Sequence, residues 1–157
     1  MAEPRASRPD MPGYGVTEGI EGMLDWSWAR VRLERTRNYW IGSVTPGGAP
    51  HAMPVWGVWL DDLFHFSTGV TSKKARNLRH NPRCTVTTEP ADEPVIVEGS
   101  AAPMDPALHM QVLAAYAEKY SWAGDPGGWL TVTPAKAFGF IEQEASFASA
   151  ATRWTWD

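Results

Sequence analysis

The sequence predicts a mainly β protein, a small closed antiparallel barrel of about six strands carrying a few short helices. Six or so stretches read as strands, separated by Pro, Gly and Asp turns. Helical periodicity is confined to three short segments. No internal repeat, low-complexity tract or second domain interrupts the pattern.

Residues 1–16 are rich in Pro, Gly and Arg and have no periodicity, so they read as a flexible N-terminal arm ahead of a single domain over 17–157. A helix is expected around 17–36, where Ile20, Met23, Leu24 and Trp28 fall three or four apart, as do Ala29 and Leu33. Trp26 and Trp28 cannot share one narrow stripe, so this helix should pack on two neighbours. Asn38 to Val44 alternates as a strand, and Thr45-Pro46-Gly47-Gly48 is a turn. Residues 49–60 form a second strand, with His51, Met53, Val55, Gly57 and Trp59 on one face and Ala52, Pro54, Trp56 and Val58 on the other. Pro54 cannot donate to a ladder, which places this strand at an edge or a bulge, and Gly57 permits a close approach to the backbone.

Asp61-Asp62 turns the chain into a third strand, Leu63 to Thr68. A helix over 72–80 follows, then a strand from Cys84 to Glu89, a loop, and a strand from Val95 to Met104. Asp105-Pro106 has the chemistry of a helix start, with Asp at the cap and Pro in the first turn, and the helix should run to about Tyr120. Residues 121–128 form a loop, and Trp129 to Glu142 a sixth strand broken at Thr133-Pro134. The final stretch is small and polar, then aromatic.

The balance of the chain excludes several classes. Its net charge of −4 argues against general nucleic-acid binding. Cys84 is the only cysteine, so no intrachain disulfide forms, which fits a reducing cytoplasm. No apolar run approaches the ~18 residues of a membrane helix. Nine tryptophans are unusually many, and most should serve a core or a subunit interface.

The most informative stretch is the helix over 72–80. Thr71 or Ser72 can cap it, and Asn81-Pro82 ends it. Lys73 and Lys74 then occupy the first turn, where the helix already carries partial positive charge. An anion explains the placement: free amides, a hydroxyl and two ammonium groups would converge on one phosphate. The plain alternative is a solvated basic helix. Elsewhere there is no GxGxxG, Walker loop, HExxH, CxxC or GxSxG. His51, His65, His80 and His109 are scattered, and no metal site or self-sufficient acid–base machine is visible. An enzyme of this kind needs a cofactor to carry its chemistry.

Over 26–157 the chain resembles the flavin-binding split β-barrel of pyridoxamine-phosphate-oxidase-like proteins, a six-stranded Greek-key barrel. More narrowly it is similar to the actinobacterial branch that uses the deazaflavin F420. The residues that carry the likeness are Trp26-Ser27-Trp28-Ala29, Asn38-Tyr39-Trp40 with Pro46-Gly47-Gly48, Pro50 to Trp59, Phe66-Ser67-Thr68-Gly69, Ser72 to Leu78 with Asn81-Pro82-Arg83, and Thr152 to Trp156. The resemblance implies a ring system along Met53, Pro54, Val55, Trp56 and Gly57, with ribityl and phosphate groups reaching Ser67 and Thr68. It implies a phosphate held by Ser72, Lys73 and Lys74, Asn77 close by, and Arg153 and Trp154 of the tail near the ligand. Lys73 stands where relatives often carry Arg, which keeps the charge but loses the bidentate fork. It further implies a homodimer with cofactor at the interface and hydride transfer from reduced F420 to a small unsaturated substrate, with His51, Trp56 or Trp59 on the substrate side. No C-terminal substrate-phosphate segment is present, which points away from vitamin B6 oxidation. The alternatives are an FMN-dependent oxidase or reductase of the same fold, a non-catalytic carrier of F420, haem or lipid, and an interaction dimer with an empty groove.

Overall fold

The computed structural model describes residues 2–157, and Met1 lies outside the described residues. One sheet of nine strands organises them. In chain order the elements are β1 (Arg5–Ser7), α1 (Trp26–Arg35), β2 (Tyr39–Val44), β3 (Pro50–Val55), β4 (Gly57–Leu60), β5 (Leu63–Ser67) and α2 (Lys73–His80). They continue with β6 (Arg83–Thr88), β7 (Val95–Pro103), a 3-10 turn (Pro106–Leu108), α3 (His109–Tyr120), β8 (Trp129–Gly139), α4 (Glu144–Ala150) and β9 (Thr152–Thr155).

The mainly β class holds, and the closed six-stranded barrel is modified in two ways. First, the strand expected over 49–60 is split at Trp56. Its first half, β3, pairs only with β2, and its second half, β4, pairs with β5. The sheet runs β1-β9-β8-β7-β6-β2-β3, and β5 pairs with β8. Hydrogen bonds therefore do not close the sheet, and between β3 and β4 only the covalent chain through Trp56 carries it round. Pro54 explains part of this: lacking an N–H, it sits on β3 at the free edge, opposite Trp40. Second, β1 and β9 extend the sheet beyond the six strands.

The stretch read as an arm is tied down instead. Arg5–Ser7 pairs with β9, and the Arg8 guanidinium donates to the carbonyls of Gly19, Glu21, Ser149 and Ala151. Ser149, Ala151 and β9 lie far away in sequence, so local composition gives no hint of them. The first helix is shorter than expected and starts at Trp26. Gly19 and Gly22 precede it, and Gly22 has φ +82, which a helix cannot use.

Local chemistry accounts for the other boundaries. Asp61 and Asp62 both take positive φ, as a tight β4–β5 hairpin requires. The Asp105 carboxylate accepts from the Ala107 amide and caps the start of the α3 region. Opposite the expected break at Thr133-Pro134, the register shifts between Glu98 and Gly99, so the break is a β-bulge within one strand. The core gathers inward side chains from the sheet with Trp26, Ala29 and Leu33 of α1. A second cluster joins Val112, Tyr116 and Tyr120 of α3 to Val58 and Trp129. Among the described residues, no helix is long and apolar enough to cross a membrane.

Candidate functional site

At α2 the cap is Ser72, whose Oγ accepts from the Ala75 amide at 3.1 Å and lies 2.9 Å from Thr68 Oγ1. The first turn holds no acidic residue. Ala75 and Arg76 donate to Ser72, which leaves the amides of Lys73 and Lys74 without an intrahelical acceptor. Lys73 is exposed and Lys74 half-buried, and burial lowers the Lys74 ammonium below its ordinary pKa. Among the described residues neither lysine has a carboxylate partner. Two cations and two free amides at one helix start, none of them compensated, have the chemistry of an anion site. The residues present therefore fit a phosphate-bearing cofactor.

The neighbouring hydroxyls are partly committed. Ser67 donates to the Gly127 carbonyl, and the Thr68 amide donates to the Gly128 carbonyl at 3.2 Å. Loop 121–128 thus lies directly against Ser67 and Thr68. Gly128 makes this approach possible, since a Cβ there would stand 2.2 Å from the Thr68 carbonyl oxygen. The loop is in turn held by Asp125, which accepts from Trp129 Nε1 and the Gly127 amide and lies 2.9 Å from His109 Nε2. Those bonds keep the Asp125 carboxyl below the usual range.

Asn77 is buried, and its amide donates to Ser43 Oγ at 3.1 Å. Its part is to fasten α2 to β2, not to face a ligand. Because β2 pairs with β3, this bond also sets α2 relative to the strand of Met53 and Pro54. Along that strand Met53, Pro54 and Trp56 are exposed, whereas Val55 and Gly57 are buried. Exposed Trp40 lies opposite Pro54.

The tail residues divide. Arg153 is half-buried and donates to Ser7 Oγ at 3.1 Å. Trp154 is fully buried, edge-on to Trp26 at 5.4 Å, so the expected ligand contact is corrected to a core role. The alternation of a strand puts Thr152 and Trp154 inward and leaves Arg153 partly outward.

Two further features surround the strand. An open groove of about 1070 Å³ crosses β2, β3, β6, β7 and β8, with His51, Asn81, Arg83 and Glu98 among its walls. His51 Nδ1 is buried there without a hydrogen-bond partner. At the strand split, α3 supplies what the ladder does not: Tyr120 Oη accepts from the Gly57 amide at 2.9 Å, and Lys119 Nζ donates to the Gly57 carbonyl at 3.1 Å and to Tyr39 Oη at 2.6 Å. Burial pushes the Lys119 amine down to about 8. The sequence reading missed Arg37, Lys119 and Tyr120, because only tertiary contact brings them to the strand. His65 is buried against Thr131, and Trp59 lies in the core. Among the described residues no cluster of His, Cys, Asp and Glu could hold a metal ion.

Comparison with known proteins agrees with this architecture. The chain is similar to a conserved hypothetical protein of Mycobacterium tuberculosis, with a TM-score of 0.67, 19% identity, and coverage of 78% of this chain and 88% of that one. It is similar to an F420 reductase at a TM-score of 0.55 and 20% identity, covering 69% and 94% of the two chains. It is also similar to HutZ, a haem storage protein from Vibrio cholerae, at a TM-score of 0.61 and 18% identity, covering 77% and 99%. At such identities these likenesses establish the fold. No curated protein matches the sequence. The sequence itself matches the pyridoxamine 5'-phosphate oxidase family over residues 29–147, three quarters of its length, and the chain belongs to that family.

Proposed function

We propose that the chain binds the deazaflavin F420 and acts as a reductase of a small electrophilic, unsaturated substrate. One observation carries the reading: the uncompensated Lys73 and Lys74 at the α2 start, tied through Asn77 and Ser43 to the strand of Met53–Gly57. Family membership and the likeness to an F420 reductase support it.

When bound and reduced, F420 would supply the hydride. The protein's residues bind and orient. Lys73 and Lys74 would neutralise the phosphate, with the Ser72 cap beside them held in place by Thr68. Met53 and Pro54 would offer an exposed surface for the ring, with Trp56 at its border, and the Gly57 backbone is held from behind by α3. A second copy of the chain would exclude water from this face. Exposed Met53 on the free β3 edge and exposed Trp40 on the adjoining β2 support such a homodimer. Arg153 would reach an anionic part of the ligand.

Fluorescence titration of the purified apo-protein with F420 and with FMN tests the reading. F420 should bind with a Kd below about 100 μM. Tighter binding of FMN would favour a flavoprotein of the same fold, and binding of neither would end the cofactor reading. A carrier is the second reading, favoured by the likeness to a haem storage protein. Haemin in the same titration, together with a panel of enones and quinones offered to the reduced complex, separates carrier from reductase.

A further inference from the structure

Another cation without an acidic partner lies beside the strand split. Arg37, just ahead of β2, is exposed, and among the described residues it makes no salt bridge. Its guanidinium carbon is 5.2 Å from the Trp56 ring centroid and 5.4 Å from that of Tyr120. The two rings stack 4.4 Å apart with planes 8° from parallel.

These three distances form a nearly isosceles triangle. The guanidinium therefore sits beside the stack, at its edge; above the outer face of Trp56 it would be much farther from Tyr120. Tyr116 does not cover that face either. It is 6.2 Å from Trp56 but only 4.8 Å from Tyr120, so it lies on the Tyr120 side. Neither residue covers the outer face of Trp56, and Trp56 is 38% exposed.

An exposed indole with an unpaired guanidinium at its rim selects a particular ligand shape. A flat conjugated ring system gains stacking on the indole. A carboxylate on its edge then meets the planar fork of the guanidinium, which suits two parallel hydrogen bonds. A neutral ring would gain only the stacking.

We propose that Trp56 and Arg37 form a subsite for a flat, conjugated carboxylate. Trp56 neighbours the strand assigned above to the cofactor ring, so the subsite names the substrate class of that site. Its role as an acceptor site rests on that reading, but its ability to bind such a ligand does not.

The test is calorimetry on the full chain without cofactor, using 2-naphthoate and its neutral counterpart 2-naphthamide. The naphthoate should bind about tenfold or more tightly, and Arg37→Gln should abolish the difference while leaving naphthamide binding unchanged. Arg37→Lys should restore only part of the preference. Equal affinity for the two compounds, a preference that survives in Arg37→Gln, or binding of neither overturns the proposal. Thermal melts of the variants check the fold, which an exposed side chain should not disturb. The F420 titration is run beside it: failure there with the naphthoate preference intact ends the cofactor reading and spares the subsite, and the opposite pattern does the reverse.

Discussion

Removing one hydroxyl tests the idea that α3 closes the gap in the sheet. The Tyr120 side chain is buried, and its Oη accepts from the Gly57 amide at 2.9 Å. Its own proton lies within reach of the Arg37 carbonyl at 2.7 Å and the Gly57 carbonyl at 2.9 Å, and serves one at a time. Burial pushes this phenol up to about 12, so the proton is present throughout the neutral range. Tyr120→Phe keeps the ring and its stack on Trp56 and deletes only these bonds. The Gly57 carbonyl retains Lys119, and the exposed Arg37 segment can turn to water. The Gly57 amide, however, is left buried and unpaired, which costs about 1–3 kcal/mol. Taking about 2 kcal/mol, the melting temperature should fall by about 4–8 °C for a chain of this size. Urea unfolding followed by tryptophan fluorescence measures the difference directly. Tyr116→Phe is the control: its ring belongs to the same cluster, but its hydroxyl makes no hydrogen bond among the described residues, so the change should stay within about 0.5 kcal/mol. If Tyr120→Phe costs no more than Tyr116→Phe, α3 does not staple the split.

Other substitutions probe the anion site, the close approach at Gly57 and the buried histidine. Lys74→Ala removes a charge-assisted bond of about 1.5–3 kcal/mol and should weaken cofactor binding about ten- to 150-fold by fluorescence titration, whereas an unchanged Kd would move the anion elsewhere. Gly57→Ala would put a Cβ 2.3 Å from Phe64 Cζ and 2.8 Å from the His65 carbonyl oxygen, both in the packed interior, so the urea midpoint should fall by the equivalent of about 1–3 kcal/mol. An unaltered midpoint would mean the backbone yields freely there. Burial pushes His65 down to about 4 against the opposing pull of Asp61. The folded state therefore resists its protonation while the unfolded chain accepts a proton near 6.5, so its contribution is complete above that pH and is lost as pH falls toward 4. The full loss is about 3 kcal/mol, and His65→Gln should flatten the acid limb of the stability profile. An equally steep limb in the variant would assign the loss to other groups.

What the sequence made legible is what local chemistry decides. The Ser72 cap, the Asp105 cap, the Asp61-Asp62 hairpin and the edge position of Pro54 each follow from one or two side chains acting on their own backbone. The misplaced lysines are legible for the same reason, because a helix start has a known sign of charge. Strand alternation alone puts Trp154 inward, against the ligand contact that the family resemblance implies for the tail. The N-terminal strand was beyond local reading altogether, because Arg5 pairs with Thr155 at the opposite end of the chain.

The residues that sequence reading missed are also those that couple the two halves of the site. At Trp56 the chain leaves β2 for β5, and neither neighbouring strand satisfies the Gly57 peptide. Tyr120 and Lys119 take over, and the same Tyr120 hydroxyl reaches the Arg37 carbonyl, next to the guanidinium that flanks Trp56. A half-buried lysine is an expensive way to satisfy one carbonyl, and packing alone would be served as well by a methionine. Lys119 does more than pack: it bridges α3 to Tyr39 on β2, the partner of β3, and to Gly57 on β4, across the split. A single helix turn thus fixes the distance between the β2–β3 hairpin and the β4–β5 hairpin. Any ligand laid along Met53–Gly57 would find its two supports held by α3, and loosening that turn should weaken ligand binding and stability together.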